Sequence, residues 1–561
     1  MSDPAGADLL MITRRLLPFS VLIALAILVV IPLIFIVLQA LFSHFGQGDF
    51  SQIFQPIIHL FNEPELASLL QNTFLLGLGV ALVSAVIAIP LGAVRGLFNL
   101  PFARVWDLLF LIPFLIPPYI AGLSWMLTLQ PNGYSQQLFG ISPGSALFSL
   151  GGMVVIMSLN LFPVLYFAVS RSMAANGNRL ADVAQVHGAS AWQAFLRVTL
   201  PLSLPSIAAG LLLVFTLAIE EYGIPAAIGS PNGIRVLTTD IEQRLADWPI
   251  DLPGAASLSL VLASLALLAY TLQRALVSGR NVATNTGKAA ALVTRSLGIW
   301  RIPAVCLFSF VALCAVGMPL LAMLGTAFSN TVSGGLTLDN LTLRHFSGLL
   351  NSHTEALDAL LTSVSLATAT AILTGILGFL CAWLVVAQRI RGAALLDGLS
   401  LLPIAIPGIV VAVGLILAWN QPFWPITPYH TWGILLLAYS CLLLPYPVRY
   451  CSAAFTQIGG SLSDAARVHG AGLMTSLRLI LFPLVLPSLV AAMMLVFAVA
   501  SRELVSSLLL APAGMQTVSI FVWRQFEQGS IVSGMAMACL AVLISLTLML
   551  CAQFIQQRYS R

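Results

Sequence analysis

Two acidic stretches bearing histidine and glycine, and four charges set inside apolar runs, are where this chain of 561 residues could do chemistry. The first stretch reads Asp182-Val183-Ala184-Gln185-Val186-His187-Gly188-Ala189, then runs through Leu200-Pro201 and Pro205-Ser206 to Phe215. The second reads Asp464-Ala465-Ala466-Arg467-Val468-His469-Gly470-Ala471, then runs through Phe482-Pro483 and Pro487-Ser488 to Phe497. A constant offset of 282 residues relates them and also carries Glu221 onto Glu503. Each stretch predicts a short helix, Leu180 to His187 or Leu462 to His469, followed by a glycine turn. Glycine accepts a positive φ after a helix and turns the chain sharply. A second amphipathic run follows, Ala191 to Leu200 or Leu473 to Phe482, and Pro201 or Pro483 is expected to stop it before the next apolar span. Helix, turn, helix and proline make a compact knob. Its small residues (Ala184, Gly188, Ala189; Ala465, Ala466, Gly470, Ala471) let another backbone approach, so the expected chemistry is docking. His187 and His469 are read as helix-end residues facing the dipole, without a metal role.

The four charges are Glu220, Glu221, Arg502 and Glu503. An ionisable group within a membrane span is costly and is a functional candidate by default. Glu220 lies 15 residues beyond Pro205, about 22 Å along a helix at 1.5 Å per residue, which puts it in the outer half of a bilayer. Two readings are open. The charges form a polar constriction that a substrate passes, with carboxylate oxygens suited to a hard cation, or Arg502 pairs structurally with Glu220 or Glu221. No nucleotide-hydrolysing motif accompanies them. A phosphate loop needs G-x4-G-K-[ST]; the single lysine, Lys288, follows Gly287, but Val282 stands at the first glycine position and Ala289 replaces Ser/Thr. No closely spaced metal-ligand motif occurs, so no catalytic residue, cofactor or resident metal is expected. The seven cysteines lie in or beside apolar runs without Cys-x-x-Cys and read as core residues.

The elements that position these groups must be membrane helices. The chain is 59% hydrophobic and 8% charged, where soluble proteins carry roughly 25% charged residues. That excludes a soluble enzyme and a disordered chain, and no basic face suggests nucleic acid. A span needs about 20 mostly apolar residues, and twelve stretches qualify: 16–41, 72–94, 105–129, 147–169, 204–228, 253–273, 302–328, 361–387, 395–419, 432–452, 484–510 and 532–555. The first reads as a retained signal anchor. With a cytoplasmic N-terminus, nineteen of the arginines and lysines fall on the cytoplasmic side and four opposite, so both termini are expected in the cytoplasm. The knobs then project into the cytoplasm. Asp107-x5-Pro113-x3-Pro117 repeats as Asp397-x5-Pro403-x3-Pro407. These prolines break helical hydrogen bonding and predict kinked or discontinuous third and ninth spans, either flanking a pathway or as passive kinks. The chain therefore reads as one six-span unit written twice in parallel, 1–280 and 301–561, joined by a polar connector at 281–300.

The knob spacing resembles the EAA loop, E-A-A-x3-G-x9-I-x-L-P, of permease subunits in ATP-binding-cassette importers. Asp182-Val183-Ala184, Gly188 and Val198-Thr199-Leu200-Pro201 match it; so do Asp464-Ala465-Ala466, Gly470 and Ile480-Leu481-Phe482-Pro483. The departures are Asp for Glu in both copies, Val183, Val198 and Phe482. The resemblance implies an all-α polytopic protein of two tandem six-helix type I importer permease units in a bacterial inner membrane. It implies that Asp182, Ala184, His187, Gly188, Ala189 and Pro201, with Asp464, Ala466, His469, Gly470, Ala471 and Pro483, couple to two cytoplasmic ATPase subunits. It also implies a periplasmic or lipid-anchored substrate-binding protein, for which the outer loops 229–252 and 329–359 are the natural seat, and membrane lipid around the spans. Fusion of two halves, with Arg502-Glu503-Leu504 before Leu508-Leu509-Leu510-Ala511-Pro512, is similar to the ferric-iron branch, whose relatives carry thiamine, 2-aminoalkylphosphonate or polyamine. A gradient-driven secondary transporter would leave the two loops unexplained.

Overall fold

In a computed structural model the described residues are 16–142, 144–278, 295–349, 351, 354–459 and 461–559. Most of the connector expected at 281–300 lies outside them. The described chain is helical, with only two isolated bridges, Phe98 with Arg295 and Ser329 with Leu341. Lipid offers no hydrogen bonds to the backbone, so apolar runs of this length close their hydrogen bonds within helices.

The principal helices are α1 (Leu16–Leu41), α2 (Leu66–Leu97), α3 (Ala103–Leu109), α4 (Ile112–Leu115), α5 (Pro118–Leu129), α6 (Leu150–Val186), α7 (Ala191–Glu220), α8 (Leu237–Ala246), α9 (Leu252–Ser278) and α10 (Gly298–Ala327). They continue with α11 (Glu355–Ala387), α12 (Ala393–Ala405), α13 (Gly408–Trp419), α14 (Trp432–Leu443), α15 (Pro445–Ile458), α16 (Ser461–Val468), α17 (Leu473–Ala500), α18 (Val505–Leu510), α19 (Val518–Glu527) and α20 (Ile531–Tyr559).

Among the described residues nine helices are long and apolar enough to span, and two bent pairs raise the number to eleven: α12 with α13 at 111° and α14 with α15 at 42°. The remaining expected span, 105–129, the third in order, is divided among α3, α4 and α5. Proline explains the breaks in 105–129 and between α12 and α13. Pro117 and Pro407 take the same extended conformation, φ −52° ψ 135° and φ −55° ψ 142°, immediately before α5 and α13. The chain breaks there because proline has no N–H for the preceding turn. Asn160 Nδ2 donates to the freed Pro113 carbonyl at 3.0 Å.

Packing divides the chain differently from its sequence repeats. One compact unit, here the early unit, comprises Phe61–Gln243 and Val261–His345; the late unit comprises Met1–Leu60, Arg244–Leu260 and Phe346–Arg561. The first span of each sequence half thus packs with the helices of the other half. Within the early unit, α2, α6 and α7 pack together and α10 lies on α5. Phe308 of α10 stacks on Phe110 at 5.7 Å between ring centres and also meets Trp106 and Tyr166. Within the late unit, α11 packs on α15 and α17, α17 on α20, and α1 on α13. The α1–α13 contact needs a glycine: a Cβ on Gly414 would sit 2.8 Å from the Pro32 carbonyl oxygen.

Candidate functional site

Both knobs end their first helix in the same way. In the early unit Ala189 N donates to Ala184 O at 3.0 Å and Gly188 N to Gln185 O at 3.0 Å, with Gly188 at φ +92°. This is the double hydrogen bond of a helix terminated by a left-handed glycine. In the late unit Ala471 N donates to Ala466 O at 2.9 Å, with Gly470 at φ +78°. His187 and His469 each place Nδ1 2.9 Å from the carbonyl oxygen four residues back, Val183 or Ala465. The two histidines therefore cap their own helices, and among the described residues no group of His, Cys, Asp and Glu could hold a metal ion.

Two features of the knobs depart from expectation. Pro201 and Pro483 do not stop the second helix: Ala191–Glu220 and Leu473–Ala500 run unbroken from knob into membrane. A wide π turn, Phe195–Thr199 or Leu477–Leu481, sits just before each proline. The wider turn makes room for the ring against the preceding carbonyls and does without the missing N–H. A displacement of either knob is therefore carried directly into a spanning helix. The entry into the knobs also differs. Gly177 lies inside the continuous α6, whereas its counterpart Gly459 has φ +70° and separates α15 from α16.

The second helices begin differently as well. Ser190 and Gln193 form a reciprocal capping box, Gln193 N to Ser190 Oγ at 3.2 Å and Ser190 N to Gln193 Oε1 at 3.0 Å. Its signature, Ser-x-x-Gln, was legible in the sequence. The equivalent position in the late unit is Gly472, which has no side chain to cap with.

Each knob leaves apolar side chains uncovered. Val186 and Val468, at equivalent positions beside the glycine turn, are 85% and 84% exposed. Leu180 and Leu462 are exposed, as are Trp192 and its counterpart Met474; Trp192 stacks on Phe195 at 5.7 Å. Asp182 and Asp464 are both exposed. Asp182 forms an ion pair with Arg295, a residue of the connector region that sequence reasoning had assigned no role.

The four charged candidates lie where α7 and α17 end, Glu220 and Glu221 in the early unit, Arg502 and Glu503 in the late one. Each unit breaks its helix at the repeated carboxylate. Glu221 leaves the helix at φ −70° ψ 129°, and its Oε1 accepts from Gly223 N at 2.9 Å. Thr238 Oγ1 donates to the Glu221 carbonyl at 3.0 Å. Glu503 Oε1 accepts from Ser506 N at 3.2 Å, holding the start of α18, and Tyr439 OH donates to the Glu503 carbonyl at 3.3 Å. Both carboxylates thus satisfy backbone N–H groups freed by the break. Glu220 differs: its Oε1 is closed off from solvent and meets no hydrogen-bond partner among the described residues.

The starts of α8 and α19 also repeat a hydrogen bond. Thr73 Oγ1 accepts from Leu237 N at 2.9 Å at the start of α8, and Ser363 Oγ accepts from Val518 N at 2.8 Å at the start of α19. Asp240, within the 229–252 loop expected to seat a binding protein, is 3% exposed. Arg235 holds it at 3.2 Å and reaches Glu65 at 2.6 Å.

The chain matches the binding-protein-dependent transport system inner membrane component family over residues 84–282 and again over 374–561. It is 23% identical over 512 residues to the ferric transport system permease protein FbpB of Actinobacillus pleuropneumoniae, covering 87% of this chain and 71% of that one. It is 23% identical over 495 residues to the Fe(3+)-transport system permease protein FbpB 2 of Haemophilus influenzae, covering 87% and 90%. A shorter similarity, 35% over 148 residues, relates 26% of it to 62% of the molybdenum transport system permease protein ModB of Haemophilus influenzae.

Proposed function

Because the chain belongs to the binding-protein-dependent transport system inner membrane component family, we propose that its two knobs seat two cytoplasmic ATPase subunits, one on each sequence half. The protein is the multi-pass inner-membrane permease of an ATP-driven importer, and ATP hydrolysis belongs to a separate subunit. Residues 1–280 and 301–561 are the two permease units of our reading, with both termini in the cytoplasm, as the distribution of arginine favours. The observation that carries the seating is the repeated pair Val186 and Val468, apolar, exposed and beside glycine turns of the same geometry. An exposed apolar tip repeated at equivalent positions needs a partner to cover it.

In this reading ATP closes the ATPase dimer and draws the two knobs together. Because α7 and α17 are continuous with the knobs, their membrane parts follow, and the carboxylate breaks at Glu221 and Glu503 are where the moving helices end. The permease changes between inward- and outward-facing states according to which state its partners bind better. A periplasmic or lipid-anchored binding protein delivers the cargo to the outer loops, and lipid covers outward residues such as Val86 and Ile376.

We propose ferric iron as cargo. Two relatives aligned over 87% of the chain bear that name, whereas the molybdenum relative aligns with about a quarter of it. The buried Glu220 oxygen without a partner supports a hard cation, for which oxygen donors are suited. The test is reconstitution of the purified chain with its ATPase and binding protein in proteoliposomes. Uptake of ferric iron that needs ATP and both proteins is expected. Uptake of thiamine, 2-aminoethylphosphonate or putrescine in its place would overturn the cargo assignment, and a permease preparation that never binds an ATPase would overturn the seating.

A further inference from the structure

We infer that Arg295 is a positioning residue that ties the first knob to the segment leading into the second half of the chain. This rests on the reading of the knob as the ATPase seat and adds a route for its motion. Arg295 precedes α10, and its backbone is lashed to the end of α2: Arg295 N donates to Leu97 O at 3.1 Å, and Asn99 N donates to Arg295 O at 2.8 Å. Its guanidinium pairs with Asp182. With the Gln185 amide oxygen turned toward it, that oxygen lies 2.9 Å from Nη1 and 2.8 Å from Nη2. Asp182 and Gln185 are three residues apart on α6 and so share a face, one turn before Gly188. The site is the C-terminal turn of a 37-residue helix, where a cation is favoured by the helix dipole.

One residue therefore joins the end of α2 and the approach to α10, through its backbone, to the first helix of the knob, through its side chain. A half-exposed ion pair contributes little by itself. Here its root is held by two backbone hydrogen bonds, so the knob cannot shift without drawing on α2 and α10. The knob's acidic group is engaged within its own chain, and motion of the first knob reaches the first span of the second half through Arg295, besides entering its own span through α7.

A double-mutant cycle tests this in proteoliposomes carrying the permease, its ATPase and loaded binding protein. The variants are Asp182→Asn, Arg295→Gln and the two combined, with Arg295→Lys as the conservative variant. The readouts are cargo transported per ATP hydrolysed and the amount of ATPase that co-purifies. Each single variant is expected to lower the transport-to-hydrolysis ratio about three- to fivefold, with ATPase still bound, and the double variant to be no worse than the worse single one. Lysine keeps the charge without the fork and should fall between wild type and glutamine. The inference is overturned if Arg295→Gln leaves the ratio within about 1.5-fold of wild type, or if the two single effects multiply in the double variant. A Gly188→Val, Gly470→Val control separates the two layers. If it releases the ATPase while Arg295→Gln changes nothing, only this inference fails; if it keeps the ATPase, the seating itself fails.

Discussion

Substitution at Gly188 and Gly470 separates backbone conformation from surface contact. Both glycines adopt left-handed φ, +92° and +78°, and a Cβ built on either meets nothing within 4 Å. No clash within the chain opposes a side chain, so the intrinsic cost is conformational. A left-handed conformation costs an ordinary residue about 1–2 kcal/mol, which corresponds to a roughly 5- to 30-fold loss in the population of the turn. Asparagine tolerates this region better than alanine, and a β-branched residue tolerates it least. ATP-driven uptake and ATPase co-purification should therefore follow the order Gly, Asn, Ala, Val at either position, with Val losing at least about tenfold. Circular dichroism and elution volume should stay unchanged, because the turn lies outside the packed spans. Asn as damaging as Val would refute the conformational argument and assign the glycines to a close approach by the partner backbone. Full activity of Val at both positions would refute the need for the turn.

Four further outcomes follow from the geometry. Ser190→Ala removes the capping box and should cost about 1 kcal/mol at the start of the second knob helix, read as roughly fivefold faster amide exchange at Gln193. Thr73→Val or Ser363→Ala leaves a buried N–H without its acceptor, that of Leu237 or Val518, and should destabilise the protein by about 1–3 kcal/mol, read as a lower unfolding temperature in detergent. Glu221→Gln keeps an oxygen for Gly223 N–H but removes the charge. Assembly with the ATPase should persist while cation uptake falls by about tenfold or more, whereas lost assembly with normal uptake per assembled complex would make the group structural. Tyr439→Phe removes one of two donors to the Glu503 carbonyl, the other being Ser507 Oγ at 3.0 Å, and should cost about 1 kcal/mol, with a smaller effect on uptake than Glu503→Gln.

Much of this protein was legible in one dimension because the signals are local or repeated. Membrane helices follow from runs of apolar residues, since the bilayer demands an internally bonded backbone whatever the neighbours do. The glycine turns were legible because only glycine takes those φ values freely, and the spacing recurred at an offset of 282. The broken third and ninth spans followed from proline's missing donor. The paired carboxylates stood out because charge is scarce in such segments.

What remained depended on partners remote in sequence. The prolines after the knobs looked like stops, but tertiary support lets a π turn absorb each one, and the helices run on into the membrane. Gly177 and Gly459 are equivalent in sequence, yet one is helical and the other left-handed, and glycine permits both. The exchange of first spans between sequence halves, with Phe308 among the aromatic rings of the early unit and Gly414 against Pro32, leaves no trace in composition or periodicity. Sequence by itself determined which segments are helical, which are doubled and where charge interrupts apolar runs, since these depend on each residue's own chemistry and its near neighbours. Only the tertiary structure decided which helix packs on which and which side chain holds Asp182, because those contacts join residues far apart in the chain, 113 positions in the case of Asp182 and Arg295.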